Sequence, residues 1–154
     1  MKCRWAIDAD IPAIVALFDS ELKGDWFVPA GIVQRYVTGI NPDGRTQRPA
    51  HVRCAFDGGR LVGLGVMGRS KQLWNLVVHK EYRGQGVGTE MLHALNPRTI
   101  RCKTDMKAGN PQPWFERHGY REIGRVPGKP HLVVLRRPST IGEQIELDEV
   151  EVKI

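Results

Sequence analysis

Apolar residues recur at helical spacing near the start of the chain, at Ile11, Ile14, Val15, Phe18 and Leu22. With Asp10 as a cap and Pro12 in the first turn, they predict a helix beginning near Ile11. A second helical pattern covers residues 29–38 through Ile32, Val33, Tyr36 and Val37, and "GINPDGRTQRP" then breaks it into a loop. From His51 the pattern shortens. "HVRCAF" and "RLVGLGVMG" read as two strands joined by a tight hairpin at Asp57-Gly58-Gly59, and "QLWNLVVH" as a third. Val87, Met91, Leu92 and Leu95 line one face of a helix that Asn96-Pro97 stops. "TIRCKT" is a short strand, "PQPWFERHG" a short helix, and "YREIGRV" and "HLVVLRR" a closing pair of strands around Pro127-Gly128. With a strand at the start, the expected order is β-α-α-β-β-β-α-β-α-β-β, an α/β (α+β) fold. Residues 1–137 read as one domain. Residues 138–154 alternate in "QIELDEVEVKI" and read either as an edge strand or as an extension.

At 154 residues the chain can bury one core unaided by disulfides or metals. Its 41% hydrophobic and 26% charged residues are those of a folded globular protein, which sets disorder aside. No leader or apolar run of membrane-spanning length is apparent, so a cytoplasmic protein without membrane association is expected. Cys3, Cys54 and Cys102 are far apart and embedded in apolar or alternating stretches, as reduced core thiols are. The five histidines form no close-spaced ligand pair, so no metal is implied. Charge is unevenly spread. Residues 138–154 hold five acids and one lysine, which leaves 22 basic against 12 acidic residues before them. A body near +10 suits an anionic cofactor, an acidic or nucleic-acid partner, or simply solubility.

The stretch "EYRGQGVG" follows the apolar "LVVH" and precedes the third helix. A strand that runs through a glycine-rich turn into a helix aims backbone N–H groups and the positive helix end at one place, which suits phosphate. It is not a Walker loop, which ends in Gly-Lys-Ser/Thr, nor the dinucleotide fingerprint, which needs glycine where Thr89 stands. The pattern is R-x-x-G-x-G, with Arg83, Gly86 and Gly88 behind Leu76-Val77-Val78. Here the chain resembles the GNAT superfamily of acyl-CoA-dependent N-acyltransferases, over roughly residues 2–137. Further down, Asn110, Trp114-Phe115 and Gly119-Tyr120 resemble the family's Asn, aromatic-pair and Gly-aromatic features, with Asn110 closer to the aromatic pair than is typical.

The resemblance implies a mixed, mostly antiparallel central sheet flanked by helices, and acetyl-CoA or another acyl-CoA as donor. Leu76, Val77 and Val78 would align the pantetheine arm, with an N–H near Val78 polarising the thioester. Arg83, Gly84, Gln85, Gly86, Val87, Gly88 and Thr89 would cradle the pyrophosphate, and Asn110 and Phe115 would complete the cofactor site. It also exposes departures. Phe115 stands where many members have the tyrosine that protonates the leaving thiolate, and Tyr120 is either a substitute or a core residue. In place of the Glu or His that relatives often carry as a general base on the strand before the loop stand Gln72, Trp74 and Asn75. Asp105 is the first substitute base, or else merely begins a turn. Trp26, Phe27, Trp74 and Asn75 are candidate acceptor contacts, or ordinary packing. The expected activity is transfer of an acyl group to a primary amine. The alternatives are a nucleic-acid (DNA base) modification enzyme resembling the phage Mom type, or a non-catalytic basic module binding nucleic acid or CoA. Either a monomer or a homodimer is compatible with the sequence.

Overall fold

The computed structural model describes residues 1–22 and 26–138. Seven strands and four helices follow in the expected order: β1 (Lys2–Trp5), α1 (Ile11–Glu21), α2 (Ala30–Thr38), β2 (His51–Asp57), β3 (Arg60–Met67), β4 (Gln72–Val78), α3 (Val87–Leu95), β5 (Thr99–Lys103), α4 (Gln112–Arg117), β6 (Arg121–Arg125) and β7 (Leu132–Arg136). They form one sheet ordered β1-β2-β3-β4-β5-β7-β6. Every neighbouring pair is antiparallel except β4 and β5. The expected alternating strand in the acidic tail lies outside the described residues.

One face of the sheet carries α1 and α2, where Ile14, Phe18 and Val33 pack on Cys54, Leu64, Val66 and Val77. The other face carries α3 and α4, where Leu92, Leu95 and Phe115 pack on Leu73, Ile100 and Leu135. β3, in the middle, is buried from Leu61 to Met67 because both faces are covered. Its glycines are packing devices. A Cβ on Gly63 would stand 2.6 Å from Val87 Cγ1 and one on Gly65 2.5 Å from Leu95 Cδ1, so their absence lets α3 lie close on the sheet.

Two local expectations are revised. Asp10 does not cap α1: no side-chain cap bond is made there. Its carboxylate instead accepts two bonds from Arg4, at 2.7 and 2.8 Å, and one from the Ile7 N–H. A bidentate guanidinium competes better for a carboxylate than a backbone N–H does. Between "LVVH" and the glycine turn the chain also makes one 3-10 turn, Lys80–Tyr82.

Candidate functional site

The site follows from how β4 and β5 part. Their parallel pairing is confined to Gln72↔Thr99 and Leu73↔Ile100. Immediately beyond, the β3 register advances one residue, Val66 to Met67, while β4 spans Asn75 to Leu73, so Trp74 is the extra residue of a bulge. A bulge bends its strand and ends local pairing. It also breaks the alternation of faces: Trp74 and Val77, three positions apart, both pack on the α1/α2 side, Trp74 against Tyr36. A cleft of about 390 Å³ opens between the diverging strands.

The open edge of β4 is main chain. The His79 N–H bonds to the Val62 carbonyl in β3, so strand alternation turns the polar groups of Val78 and Leu76 to the opposite edge, toward the cleft. Leu76, Val77 and Val78 all line it.

At its upper end the cleft meets the glycine turn. Gly84 and Gly86 sit at φ +77° and +85°, where L side chains are strained, and a Cβ on either would meet no atom within 4 Å. The glycines are therefore demanded by backbone conformation, and the space in front of them is open. α3 starts directly after Gly86 with no side-chain cap, leaving its first-turn N–H groups without protein acceptors. Arg83, Gly84, Gly86, Val87, Gly88 and Thr89 line this end. Gly88 lies 3.4 Å, from a notional Cβ, to the Trp114 ring, so it serves contact between α3 and α4. Gln85 points away, its amide donating to the Glu81 carbonyl. Asn110 and Phe115 border the cleft, and the Asn110 Oδ1 accepts from the Gln112 N–H at 3.0 Å.

The substitute catalytic residues lie elsewhere. Tyr120 is outside the cleft lining, 3% exposed, with its hydroxyl donating to the Pro97 carbonyl at 2.6 Å. It is a core residue of the α3/α4 face. Asp105 is exposed, does not line the cleft, and accepts from the Trp26 indole N–H. Trp26 thus crosses from the segment before α2 to the end of β5, and Phe27 is 51% exposed and does not line the cleft. Asn75 is buried and lines the cleft beside Trp74.

Three charged residues in the cleft were not anticipated, Glu21, Arg101 and Lys103. Glu21, the last residue of α1, is ion-paired with Arg83 and is the one carboxylate among the lining residues. Lys103 reaches from β5 across the split, donating to the Trp74 carbonyl and, at 2.8 Å, to Asn75 Oδ1. Burial, aided by the nearby positive Arg101, brings its ammonium down to about 8. The alternation of "TIRCK" puts Ile100 and Cys102 on one face and Arg101 and Lys103 on the other, so its facing was legible. The strand it would face was not. Among the described residues no cluster of His, Cys, Asp and Glu could hold a metal, and no helix is long and apolar enough to cross a membrane.

The fold is shared with solved structures. A GCN5-related N-acetyltransferase of Rhodopseudomonas palustris superposes with TM-score 0.68 at 16% identity, over 90% of this chain and 95% of that one. The ribosomal-protein-alanine N-acetyltransferase of Brucella melitensis gives 0.63 at 20%, over 90% and 100%. The PaiA N-acetyltransferase of Thermoplasma acidophilum, solved with coenzyme A, gives 0.68 at 8%, over 90% and 98%. Comparison with curated proteins finds no match. Residues 48–122, which include the split, the glycine turn and α4, match the acetyltransferase (GNAT) domain family. The chain thus has the GNAT fold, a mixed sheet parted between β4 and β5, and its match to the GNAT acetyltransferase domain lies across that parting.

Proposed function

We propose that the protein is an acyl-CoA-dependent N-acyltransferase that moves an acetyl or similar acyl group to a primary amine by direct attack. The observation that carries this reading is the continuity of the open β4 edge with the glycine turn: one cleft offers main-chain pairing along its length and an anion cradle at its end. Bound there, acyl-CoA would supply the activated thioester. The first-turn N–H groups of α3 and the Gly84–Gly86 turn would hold the pyrophosphate, and the Leu76 and Val78 main chain would align the arm.

The cleft's one carboxylate and the two candidate residues outside it bear on how the amine reacts. Glu21 is committed to Arg83, Tyr120 to the core and Asp105 to Trp26, so none of the three is placed to take a proton from an amine in the split. Rate enhancement then rests on holding two reactants in line and on main-chain donors aimed at the thioester oxygen; positioning alone can contribute several kcal/mol, about 7 or more in favourable cases. The attacking nitrogen gives up its proton to solvent as the amide forms and the C–S bond breaks. Phe115 has no proton to give, so the leaving thiolate also takes one from solvent at the cleft mouth.

Differential scanning fluorimetry with acetyl-CoA tests the reading. A ligand that binds only the folded state raises the melting temperature, and Gly86→Glu, which places a strained and negatively charged side chain in the cradle, should abolish the rise. A wild-type protein that shows no shift with acetyl-CoA or with longer acyl-CoAs would refute it.

A further inference from the structure

We propose that the amine acceptor carries a carboxylate, and that Lys103 holds it at the end of the cleft away from the glycine turn. The inference rests on the acyltransferase reading above and adds the class of the second substrate.

The position is fixed by geometry. An extended donor held by its pyrophosphate at Gly84 and Gly86 brings its acyl end toward the narrowing of the split, where Trp74, Asn75 and Lys103 line the wall. An ammonium has three N–H donors. Two of those of Lys103 go to neutral acceptors, the Trp74 carbonyl and Asn75 Oδ1, and no carboxylate pairs with it among the described residues. A cation withdrawn from water without an anion is costly, and the cost is recovered when one arrives.

The surrounding charge has the same sign. Arg101 shares the Lys103 side of β5 and lines the cleft. Arg35 stands 5.7 Å over the Tyr36 ring, itself packed 5.5 Å from the Trp74 ring. Of the carboxylates on adjoining elements, Glu21 is paired with Arg83, and Asp105, which accepts from the Trp26 indole, lies outside the cleft lining. Cys102 borders the cleft but is 1% exposed and packs in the α3/α4 core. A polyamine or aminoglycoside would bring more positive charge to this wall. Like charges repel more strongly in a part-buried place than in open water.

The remaining choice is between a compact acid and a nucleic-acid backbone. Backbone phosphates are read by cations along an open groove. Lys103 is instead recessed between two strands, with the Trp26 ring centroid 5.9 Å from its Nζ and Trp74 beside it. Such a place admits one small anion, while Trp26, Tyr36 and Trp74 offer apolar surface to the carbon frame that carries it. An amino acid, or a similar small amino acid-like amine, has this combination.

The test uses CoA-loaded protein and two probe sets, the N-acetyl derivatives of the common amino acids and the matching N-acetyl amino acid amides, which differ only in the carboxylate. Ligand-observed NMR competition should show the preferred acid binding at least tenfold tighter than its amide. Lys103→Met should remove that preference and Lys103→Arg keep most of it, with the CoA-induced rise in melting temperature retained in both as proof of folding. In turnover with acetyl-CoA, amino acids should exceed their amides and spermidine by a similar factor in kcat/KM. Acids bound no better than amides, an unaltered preference in Lys103→Met, or a faster reaction with spermidine or a DNA oligonucleotide would each overturn the proposal while the CoA-induced shift stands. Loss of that shift in the wild-type protein would instead overturn the acyltransferase reading itself.

Discussion

Arg83, at the entrance to the glycine turn, is ion-paired with Glu21 at the C-terminal end of α1, and its Nε donates to the Val78 carbonyl at 3.3 Å. One side chain thereby ties the turn, the open strand and the opposite helical layer together. Glu21 is only 6% exposed on its side chain, against 41% for Arg83. Removing the cation leaves a buried carboxylate unpaired, which in fully buried pairs costs about 3–5 kcal/mol. Because Arg83 is part-exposed, Arg83→Ala should destabilise by about 2 kcal/mol in urea unfolding. Adding Glu21→Gln should recover part of the loss, since the orphaned charge goes with it. Strict additivity of the two changes would show that the pair is not coupled.

A second relationship fixes where α3 begins. A Cβ on Gly63 would stand 2.6 Å from Val87 Cγ1 and 3.4 Å from the Ala55 Cβ. Val87 is 2% exposed and β-branched, with one favoured helical rotamer, so it cannot turn away. Gly63→Ala should therefore cost about 1–3 kcal/mol by overpacking and, by displacing the residue next to Gly86, weaken acetyl-CoA binding. Combining it with Val87→Ala should restore much of the stability. A double variant no more stable than Gly63→Ala alone would place the strain elsewhere.

These contacts show what the sequence could and could not reveal. Alternation of two and recurrence of three to four residues are local, and the strands and α-helices from α1 to β7 were legible from them, though not the 3-10 turn Lys80–Tyr82. The glycine turn was legible because its conformation is written in residue type: Gly84 and Gly86 occupy positive φ. Long-range pairing was not. Arg83 meets Glu21 across 62 positions and Lys103 meets Asn75 across 28, and no periodicity connects them. Asp105 was a reasonable base on a strand end, but the Trp26 indole, 79 positions away, takes its carboxylate. Tyr120 was ambiguous between acid and core because both uses bury the ring. Only the Pro97 carbonyl at its hydroxyl separates them.

The thiols bear on any assay that counts released CoA. Cys54 and Cys102 are 0% and 1% exposed, and burial pushes them up to about 12 and about 11. Cys3 is part-exposed and also raised, first by burial and then by Glu90. Since the thiolate is the reactive form, a disulfide reagent at pH 8 should label the native protein slowly and at Cys3 alone. In guanidinium chloride all three cysteines of the sequence should react. Rapid labelling of two or more native thiols would contradict the packing of the strands that carry Cys54 and Cys102.

Lys103 should leave its signature in the pH dependence of stability. Its native value of about 8 lies below the roughly 10.4 of an unfolded lysine. Between those values the unfolded chain holds a proton that the native protein has released, so this group makes stability rise with pH across that window and contributes no slope below it. The raised Tyr36, Cys54 and Cys102 act oppositely at alkaline pH, because there the unfolded chain gives up protons that the native state keeps. The informative quantity is therefore the wild-type minus Lys103→Met difference in unfolding free energy, measured from pH 7 to pH 10. It should move in favour of the wild type by on the order of 2 kcal/mol across that range, and a bound carboxylate should flatten it by holding the ammonium charged. A difference that is flat without ligand would mean that Lys103 keeps its proton as an ordinary surface lysine does, and that the wall of the split is wetter than its contacts with Trp74 and Asn75 require.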